Sequence, residues 1–227
     1  MKILAVDTAL GACSAAVLHD DTVLAHRLEC MDRGHAEALA PMVQKVMRDA
    51  ALQFSELDRL AVTTGPGTFT GQRVGLAFMR GLRIALKRPL LGVTTLEAMA
   101  VAAMDEWHAS ASAVLHDAKR GEVYAGLFTR DGTVLEPMLL RLEEFLEAFR
   151  PKLAAIENAE RIVFAGTASA AGCELYRAAG RECLTSTITY PDAGWVAQIA
   201  LRKSDSGEVP RPLYLRPPDA RLPSAAG

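Results

Sequence analysis

A run of glycine, proline and hydroxyl residues over positions 65–76, Gly-Pro-Gly-Thr-Phe-Thr-Gly-Gln-Arg-Val-Gly-Leu, constrains this chain more than any other segment. It follows an apolar stretch at 60–64 that predicts a buried strand, and it leads into a helix predicted over 71–86. A strand that turns through glycines into a helix exposes unpaired backbone N–H groups and a partial positive charge. Such a turn can hold an anion such as phosphate, or it can bring two backbones close together.

The glycine run matches neither common nucleotide motif. No Gly-Lys-Ser or Gly-Lys-Thr follows it, so it is not a Walker A loop, and Thr70 stands where the Rossmann pattern needs its third glycine. Gly71 and Gly75 lie one helical turn apart, and Val74 and Phe78 add apolar surface along the same side. A helix with a small and apolar side suits close packing on a partner helix as well as it suits a phosphate.

Composition and charge exclude several classes of protein. Half of the 227 residues are hydrophobic, which is enough for one large domain or two small ones. The net charge of -2 gives no general attraction to nucleic acid. Asp7 comes too early for a signal peptide, and we expect no membrane-spanning segment because no apolar run is long enough. Four cysteines without a Cys-x-x-Cys pair predict reduced thiols in a cytoplasmic protein.

Hydrophobic periodicity predicts a similar order of elements in each half of the chain. In the first half we expect strands at 3–6, 13–18, 23–28, 60–64 and 90–93, and helices at 36–52, 71–86 and 94–104. In the second half we expect strands at 112–116, 122–128, 133–140, 161–165 and 182–188, and helices at 143–149, 168–179 and 191–201. Pro151 should stop the first helix of the second half. The predicted class is α/β, with a domain at 1–106, a smaller domain at 107–216 and a tail at 217–227.

The first half has the order βββαβα, with Asp7 at the end of its first strand, which resembles the actin, sugar-kinase and Hsp70 (ASKHA) superfamily of ribonuclease H-like domains. In that superfamily two such domains face each other across a nucleotide cleft, and the strand-end carboxylate lies near nucleotide-bound magnesium. The resemblance implies a nucleotide-cleft set consisting of Asp7, Thr8, Gly65, Gly67 and Thr68. Because the loop after Asp7 is partly apolar, Asp7 could equally be a structural residue that hydrogen-bonds nearby backbone.

Six segments in a fixed order resemble the bacterial TsaB family, also called YeaZ, over nearly the whole chain. They are Asp7-Thr8, His35 to Pro41, Gly65 to Leu76, Thr94 to Ala98, Asp117 to Tyr124 and Tyr214 to Arg216. The segments that begin at Gly65 and Asp117 are the most specific of the six, and the others add order and spacing.

The family resemblance implies a function in the threonylcarbamoylation of adenosine 37 in tRNAs that read ANN codons. It implies a non-catalytic subunit that pairs with the catalytic homologue TsaD and the ATPase TsaE, and that meets tRNA only through the complex. It implies no cofactor for this chain, with ATP or ADP only at the interface of the complex. In the family the helices at 36–52 and 71–86 contact TsaD, or form a homodimer in its absence. The implied interface residues are His35, Leu39, Met42, Val43, Val46, Met47, Gly71, Val74, Gly75, Phe78, Met79 and Leu82.

The residues themselves disfavour a metal-dependent enzyme. His35 has Leu39 four positions later, where a metal-binding helix would place a second histidine. We therefore expect no metal site and no catalytic residue, which argues against a glycoprotease-like metallo-hydrolase. A nucleotide-dependent phosphotransferase or ATPase of the ASKHA fold is the alternative function. The turn from Asp117 to Tyr124 is open between contact with a partner or tRNA and a charged hairpin tip.

Overall fold

The computed structural model describes residues 1–153, 156 and 162–216, and its strands form two mixed sheets of five strands each. The first sheet contains β1 (Lys2–Asp7), β2 (Ala12–His19), β3 (Thr22–Cys30), β4 (Arg59–Thr63) and β5 (Leu90–Val93). Its order is β3-β2-β1-β4-β5, with β1 antiparallel to β2 and parallel to β4. Its connecting helices are α1 (His35–Asp49), α2 (Phe69–Leu86) and α3 (Thr95–Glu106).

The second sheet repeats this topology. It contains β6 (Ala111–Lys119), β7 (Glu122–Thr129), β8 (Gly132–Arg141), β9 (Ile162–Ala165) and β10 (Leu184–Thr185), in the order β10-β9-β6-β7-β8. The helices of this half are α4 (Phe145–Leu153), α5 (Ser169–Ala178) and α6 (Ala193–Arg202). The predicted α/β class with two actin-like subdomains is confirmed.

Helices and sheets alternate in layers. α1 and α2 pack on one face of the first sheet, where Leu4, Val6 and Val62 meet the buried sides of both helices. α3 lies between the two sheets, and α4 and α5 cover the far side of the second sheet. The sequence left open which sheet the final helix covers. α6 packs on β1 and β2 of the first sheet, so that sheet has helices on both faces.

Local capping signals fix the starts of α2 and α3. Thr68 Oγ1 accepts a hydrogen bond from the Gly71 N–H, and Thr94 Oγ1 accepts one from the Glu97 N–H, each at 3.1 Å. The helix start predicted at Thr94 is therefore confirmed. The Glu97 carboxylate does not complete the capping box, because it pairs instead with Lys203 Nζ at 2.8 Å.

Three sequence predictions are wrong in detail. α4 continues through Pro151 to Leu153, because a proline near a helix end removes only one backbone hydrogen bond. The strand expected at 182–188 is only the two-residue β10, since pairing with β9 is limited to Leu184 and Thr185. α1 begins one residue earlier and ends three residues earlier than the predicted 36–52.

The cysteine prediction is wrong for one pair. Cys173 on α5 and Cys183 before β10 form a disulfide, with their Cα atoms 6.1 Å apart. The two residues are ten positions apart in sequence, and only the packing of α5 beside β10 brings them together. Cys13 is buried and Cys30 exposed, and both are free thiols. Among the described residues, every helix is too short or too polar to cross a bilayer.

Candidate functional site

Two loops at the carboxyl ends of β1 and β4 pack directly on each other. A Cβ atom at Gly67 would lie 2.2 Å from the Ala9 carbonyl oxygen, and one at Gly71 would lie 2.1 Å from the Thr8 carbonyl oxygen. No side chain fits at these distances without moving the backbone. The close approach that these two glycines allow within this chain is therefore to the loop after β1.

Thr8 joins the two loops through its hydroxyl group. Thr8 Oγ1 donates to the Gly71 carbonyl at 2.6 Å and accepts from the Gly75 N–H at 3.0 Å. The Thr8 side chain is 1% exposed, and a Cβ at Gly75 would lie 2.7 Å from its oxygen. The Thr8 hydroxyl is thus committed to the backbone of α2 and is not free for a phosphate.

Asp7 is sealed beneath these loops. Its Oδ1 accepts hydrogen bonds from Thr63 Oγ1 at 2.5 Å and from the Ala9 N–H at 3.1 Å, while its Oδ2 is buried without a partner. Burial raises the pKa of Asp7 to about 7, against the lowering effect of the Thr63 hydrogen bond. Asp7 therefore holds the loop in place, and it has no exposed oxygen with which to reach a ligand.

A cavity of about 750 Å³ lies between the two subdomains, above the closed loops. Of the five residues predicted for a nucleotide cleft, Gly67 and Thr68 line this cavity, whereas Asp7, Thr8 and Gly65 are buried behind its wall. The other walls come from the start of α2, the end of β6 and residues 214–216. The cavity is large enough for a small molecule, but of the residues predicted to bind a nucleotide only Gly67 and Thr68 reach it.

A segment that we term the C-terminal strap, residues 213–216, closes one end of the cavity. The Arg73 guanidinium carbon lies 3.5 Å from the centroid of the Phe69 ring, and Arg73 Nε donates to the Tyr214 hydroxyl at 2.8 Å. The Phe69 and Tyr214 rings lie 5.3 Å apart. The first turn of α2 is thereby attached to the strap.

The other end of the strap holds the turn between β6 and β7. Arg216 Nη1 donates to the Ala118 carbonyl at 3.0 Å, and its Nη2 pairs with the Glu122 carboxylate. Lys119 Nζ pairs with Asp117 at 3.2 Å. This turn, for which the sequence left contact with a partner or tRNA and a charged hairpin tip both open, makes ion pairs within this chain, and these pairs do not test an external contact.

His116 is the buried histidine of the cavity wall. Its side chain lies beside Tyr190, with ring centroids 5.9 Å apart, and its Nδ1 has no hydrogen-bond partner. Burial lowers the pKa of His116 to about 4, so the ring is neutral at physiological pH. The cavity wall gains no positive charge from this residue.

The helix α1 buries its apolar stripe against the first sheet. Leu39 is 1% exposed, and Val43 and Val46 are fully buried. The implied interface residues that lie in this core are Leu39, Met42, Val43, Val46, Met47 and Met79. Their side chains are unavailable to a partner in this fold, and Gly71 and Gly75 are enclosed against Thr8.

His35 lies at the start of α1 and is partly buried. Its Nε2 is 2.9 Å from the Leu10 carbonyl oxygen, so the ring ties the helix start to the first loop. Over residues 1–153, 156 and 162–216, no group of three or more His, Cys, Asp or Glu side chains is placed to hold a metal ion. The His35 ring thus makes a local hydrogen bond with the loop after β1.

The helix α2 differs from α1 because its outward side also carries small and apolar residues. Ile84 is 73% exposed, and a Cβ at Gly81 would have no atom within 4 Å. We term this surface the apolar flank; it consists of Val74, Ala77, Phe78, Gly81, Ile84 and Ala85. Val74, Phe78 and Leu82 from the implied interface set are partly exposed here, although each also touches the core.

The sequence prediction did not include Ala77, Gly81 or Ile84. The spacing does contain a signal for them, because positions 77, 81 and 84 fall on one side of a helix, opposite the buried positions 72, 76 and 79. Identifying that side as outward requires knowing which side faces the sheet. An apolar stripe alone does not provide that information.

Comparisons with known proteins agree in sequence and in fold. A family model described as "TsaD: tRNA N6-adenosine threonylcarbamoyltransferase" matches residues 27–202. The Escherichia coli K12 "tRNA threonylcarbamoyladenosine biosynthesis protein TsaB" is 32% identical over 225 residues, covering 95% of each chain. A solved Pseudomonas aeruginosa protein with similarity to peptidase YEAZ is 28% identical with a TM-score of 0.75, covering 95% of this chain and 99% of that one. The solved structure of YeaZ from Pseudomonas aeruginosa is 29% identical with a TM-score of 0.70, covering 88% and 91%.

Proposed function

This chain belongs to the TsaB (YeaZ) family of tRNA threonylcarbamoyladenosine biosynthesis proteins, and we propose that it acts there as a non-catalytic partner subunit. Its partners would be the catalytic homologue TsaD and the ATPase TsaE, with tRNA met only through the complex. It would act in the cytoplasm and require no cofactor of its own, with ATP or ADP bound only where subunits meet.

The closed pair of loops carries the proposal of a non-catalytic role. Gly67 and Gly71 pack on the backbone of Thr8 and Ala9, and Asp7 is sealed below them. An enzyme that organises a nucleotide and its metal needs a carboxylate and N–H groups that face the ligand. Here Asp7 Oδ1 and the Thr8 hydroxyl already have partners inside the chain, and Asp7 Oδ2 is buried, which supports a structural role for both residues.

The apolar flank of α2 is our proposed contact surface for TsaD. Exposed apolar residues grouped on one helix mark interaction sites more often than isolated ones do. The small residues Ala77, Gly81 and Ala85 let a second helix approach closely, while Ile84 and Phe78 supply apolar area. In isolation the same flank could bind a second copy of the chain.

Reconstitution tests the non-catalytic role. TsaD, TsaE and tRNA, supplied with threonylcarbamoyl-adenylate, are assayed for modified tRNA with and without this chain, and the chain alone is assayed for ATP turnover. We expect modification only when the chain is present, and no turnover by the chain alone. ATP turnover by the chain alone that is abolished by Asp7→Ala would instead favour the phosphotransferase alternative.

Ile84→Glu tests the contact surface. The charge should abolish co-purification with TsaD, because an apolar contact would bury an unpaired carboxylate. Val23→Glu is a matched control, since Val23 is 40% exposed on the edge strand β3, away from α2. If Ile84→Glu is folded by circular dichroism and still binds TsaD as well as Val23→Glu does, the apolar flank is not the contact.

A further inference from the structure

α2 carries a second surface beside the apolar flank, between its outward side and its buried side, which we term the basic flank. It consists of Arg73, Arg80, Arg83 and Lys87, whose spacings of seven, three and four residues place them on one stripe. Arg73 and Lys87 are exposed, and Arg80 and Arg83 are half-buried. The two flanks run side by side along the helix. A partner that covers the apolar flank therefore comes close to the basic flank as well.

The charge on this segment is one-sided. Between Asp58 and Glu97 the sequence has no acidic residue, yet it contains six basic ones, at 59, 73, 80, 83, 87 and 88. The whole chain has a net charge of -2, so this concentration of positive charge is local to α2 and its ends. A local field of one sign steers association with surfaces of the opposite sign.

The described part of the chain does not neutralise the basic flank. Arg73 and Arg80 donate only to uncharged oxygens, the Tyr214 hydroxyl at 2.8 Å and the Pro210 carbonyl at 2.5 Å. The side chains of Arg83 and Lys87 make no hydrogen bond or ion pair with any residue in 1–153, 156 or 162–216.

The neighbouring helix shows the contrast. On α1, Lys45 pairs with Asp49 at 3.6 Å, and Asp49 also pairs with Arg27 at 3.2 Å. The four cations of the basic flank thus lack a carboxylate partner in the described part of the chain, whereas Lys45 on the adjacent helix has one.

We infer that the basic flank selects a partner protein whose facing surface is acidic, and that it opposes pairing of α2 with a second copy of this chain. The inference rests on the proposed function only in taking the apolar flank as the contact. Charge complementarity across an interface sets which partner binds and how fast, and like charges placed together disfavour the wrong partner.

Symmetry explains why self-pairing is disfavoured. In a two-fold dimer the same patch meets itself, and two α2 helices packed antiparallel about that axis place both basic flanks on the same side of the contact. Eight cations would then lie along one edge without a counter-charge. An acidic partner is attracted to the same edge. The basic flank therefore favours the complex with an acidic partner over the homodimer.

The apolar flank favours a protein over a nucleic acid as the occupant. A phosphate backbone would satisfy the cations but would leave Ile84, 73% exposed, without an apolar contact. A protein surface with an apolar centre and an acidic rim satisfies both flanks. The occupant is therefore a protein, and the experiment below also measures whether the chain binds RNA.

The test is the double charge reversal Arg83→Glu/Lys87→Glu in the full chain. The matched control is Arg150→Glu/Lys152→Glu, which makes the same charge change on the exposed end of α4. Binding to TsaD from the same organism is measured at about 0.05 M and about 0.5 M salt, where screening differs strongly. We expect the reversal to weaken binding at least tenfold at low salt and much less at high salt, with the control unchanged.

Self-association is measured in parallel by analytical ultracentrifugation. The wild-type chain should dimerise more readily at high salt, and an equal mixture of wild type and reversal should form mixed dimers at least tenfold more tightly than either alone. This arm tests the inference even if TsaD does not bind, because it needs only copies of this chain.

Three results would overturn the inference. In the first, TsaD binding does not change with salt or with the charge reversal but is lost in Ile84→Glu. That result would support the apolar flank as the contact and would show that the basic flank does not select the partner. Wild-type self-association that is as strong at low salt as at high salt would show that the two basic flanks do not repel each other in the homodimer. Binding of a fluorescent tRNA transcript by the chain alone, lost only in the reversal while TsaD binding is unchanged, would assign the basic flank to RNA.

Discussion

Helices α1 and α2 lie together on the same face of the first sheet, and both have the spacing of an amphipathic helix. α1 buries one apolar stripe and turns Glu37, Gln44 and Lys45 to the surface. α2 buries one stripe as well, but it also carries the apolar flank on its outward side and the basic flank beside it. The comparison teaches that an amphipathic stripe indicates a core contact, and that only apolar surface beyond that stripe indicates an interface.

Leu39→Ala on α1 should have the largest effect on stability. Leu39 is 1% exposed within the first core, so its truncation should lower the free energy of unfolding by about 4 kcal/mol. Urea denaturation followed by circular dichroism measures the loss. A mutant with unchanged stability and lost TsaD binding would show that α1 is an interface helix, and the contrast with α2 would fail.

The next effect concerns Asp7, which is buried beneath the loop whose Thr8 hydroxyl bonds to the backbone of α2. Because the pKa of Asp7 is raised to about 7 in the folded state, the folded chain binds its proton more tightly than the unfolded chain. The resulting stability is fully present below about pH 4 and is lost as the pH rises through 7. We expect the free energy of unfolding to fall by about 3 kcal/mol from this group between pH 5 and pH 8.

Asp7→Asn is the control for this pH dependence, because it keeps the shape but cannot ionise. Urea denaturation at several pH values should show a smaller fall for the variant than for the wild type. An identical pH profile for both proteins would mean that the Asp7 carboxyl group is not protonated in the folded chain at pH 5.

Two glycines of α2 sharpen the contrast between its inner and outer sides. Gly71→Ala should destabilise the fold by about 2 kcal/mol or more, since the new Cβ would lie 2.1 Å from the Thr8 carbonyl oxygen. Gly81→Ala should stabilise it by about 0.5 to 1 kcal/mol, because nothing lies within 4 Å and alanine favours a helix. Thermal unfolding of both variants decides the matter, and equal shifts in Tm would contradict the assignment of the two sides.

The smallest expected effect on stability is that of Ile84→Glu. Ile84 is 73% exposed, so its replacement should change the free energy of unfolding by no more than about 0.5 kcal/mol. The same denaturation experiment checks this value. A loss comparable to that of Leu39→Ala would show that Ile84 belongs to the core and that α2 has no free apolar side.

Much of the fold follows from local patterns in the sequence. The order of elements along the chain and the position of α3 after Thr94 depend on residues a few positions apart, and short-range spacing encodes these features. The site was less predictable. Asp7, Thr8 and the glycines were identified as a group, but the packing of one loop on the other, which closes the phosphate cradle, joins residues about sixty positions apart.

The sequence by itself determined the α/β class, the repeated order of elements and membership of the TsaB family, because each depends on residue identity and local periodicity. Only the tertiary structure decided which side of α2 faces outward, which sheet α6 covers and which cysteines pair. Those outcomes depend on contacts between distant segments, and burial is a property of the packed chain. A stripe of apolar residues looks the same in sequence whether a sheet or a partner covers it.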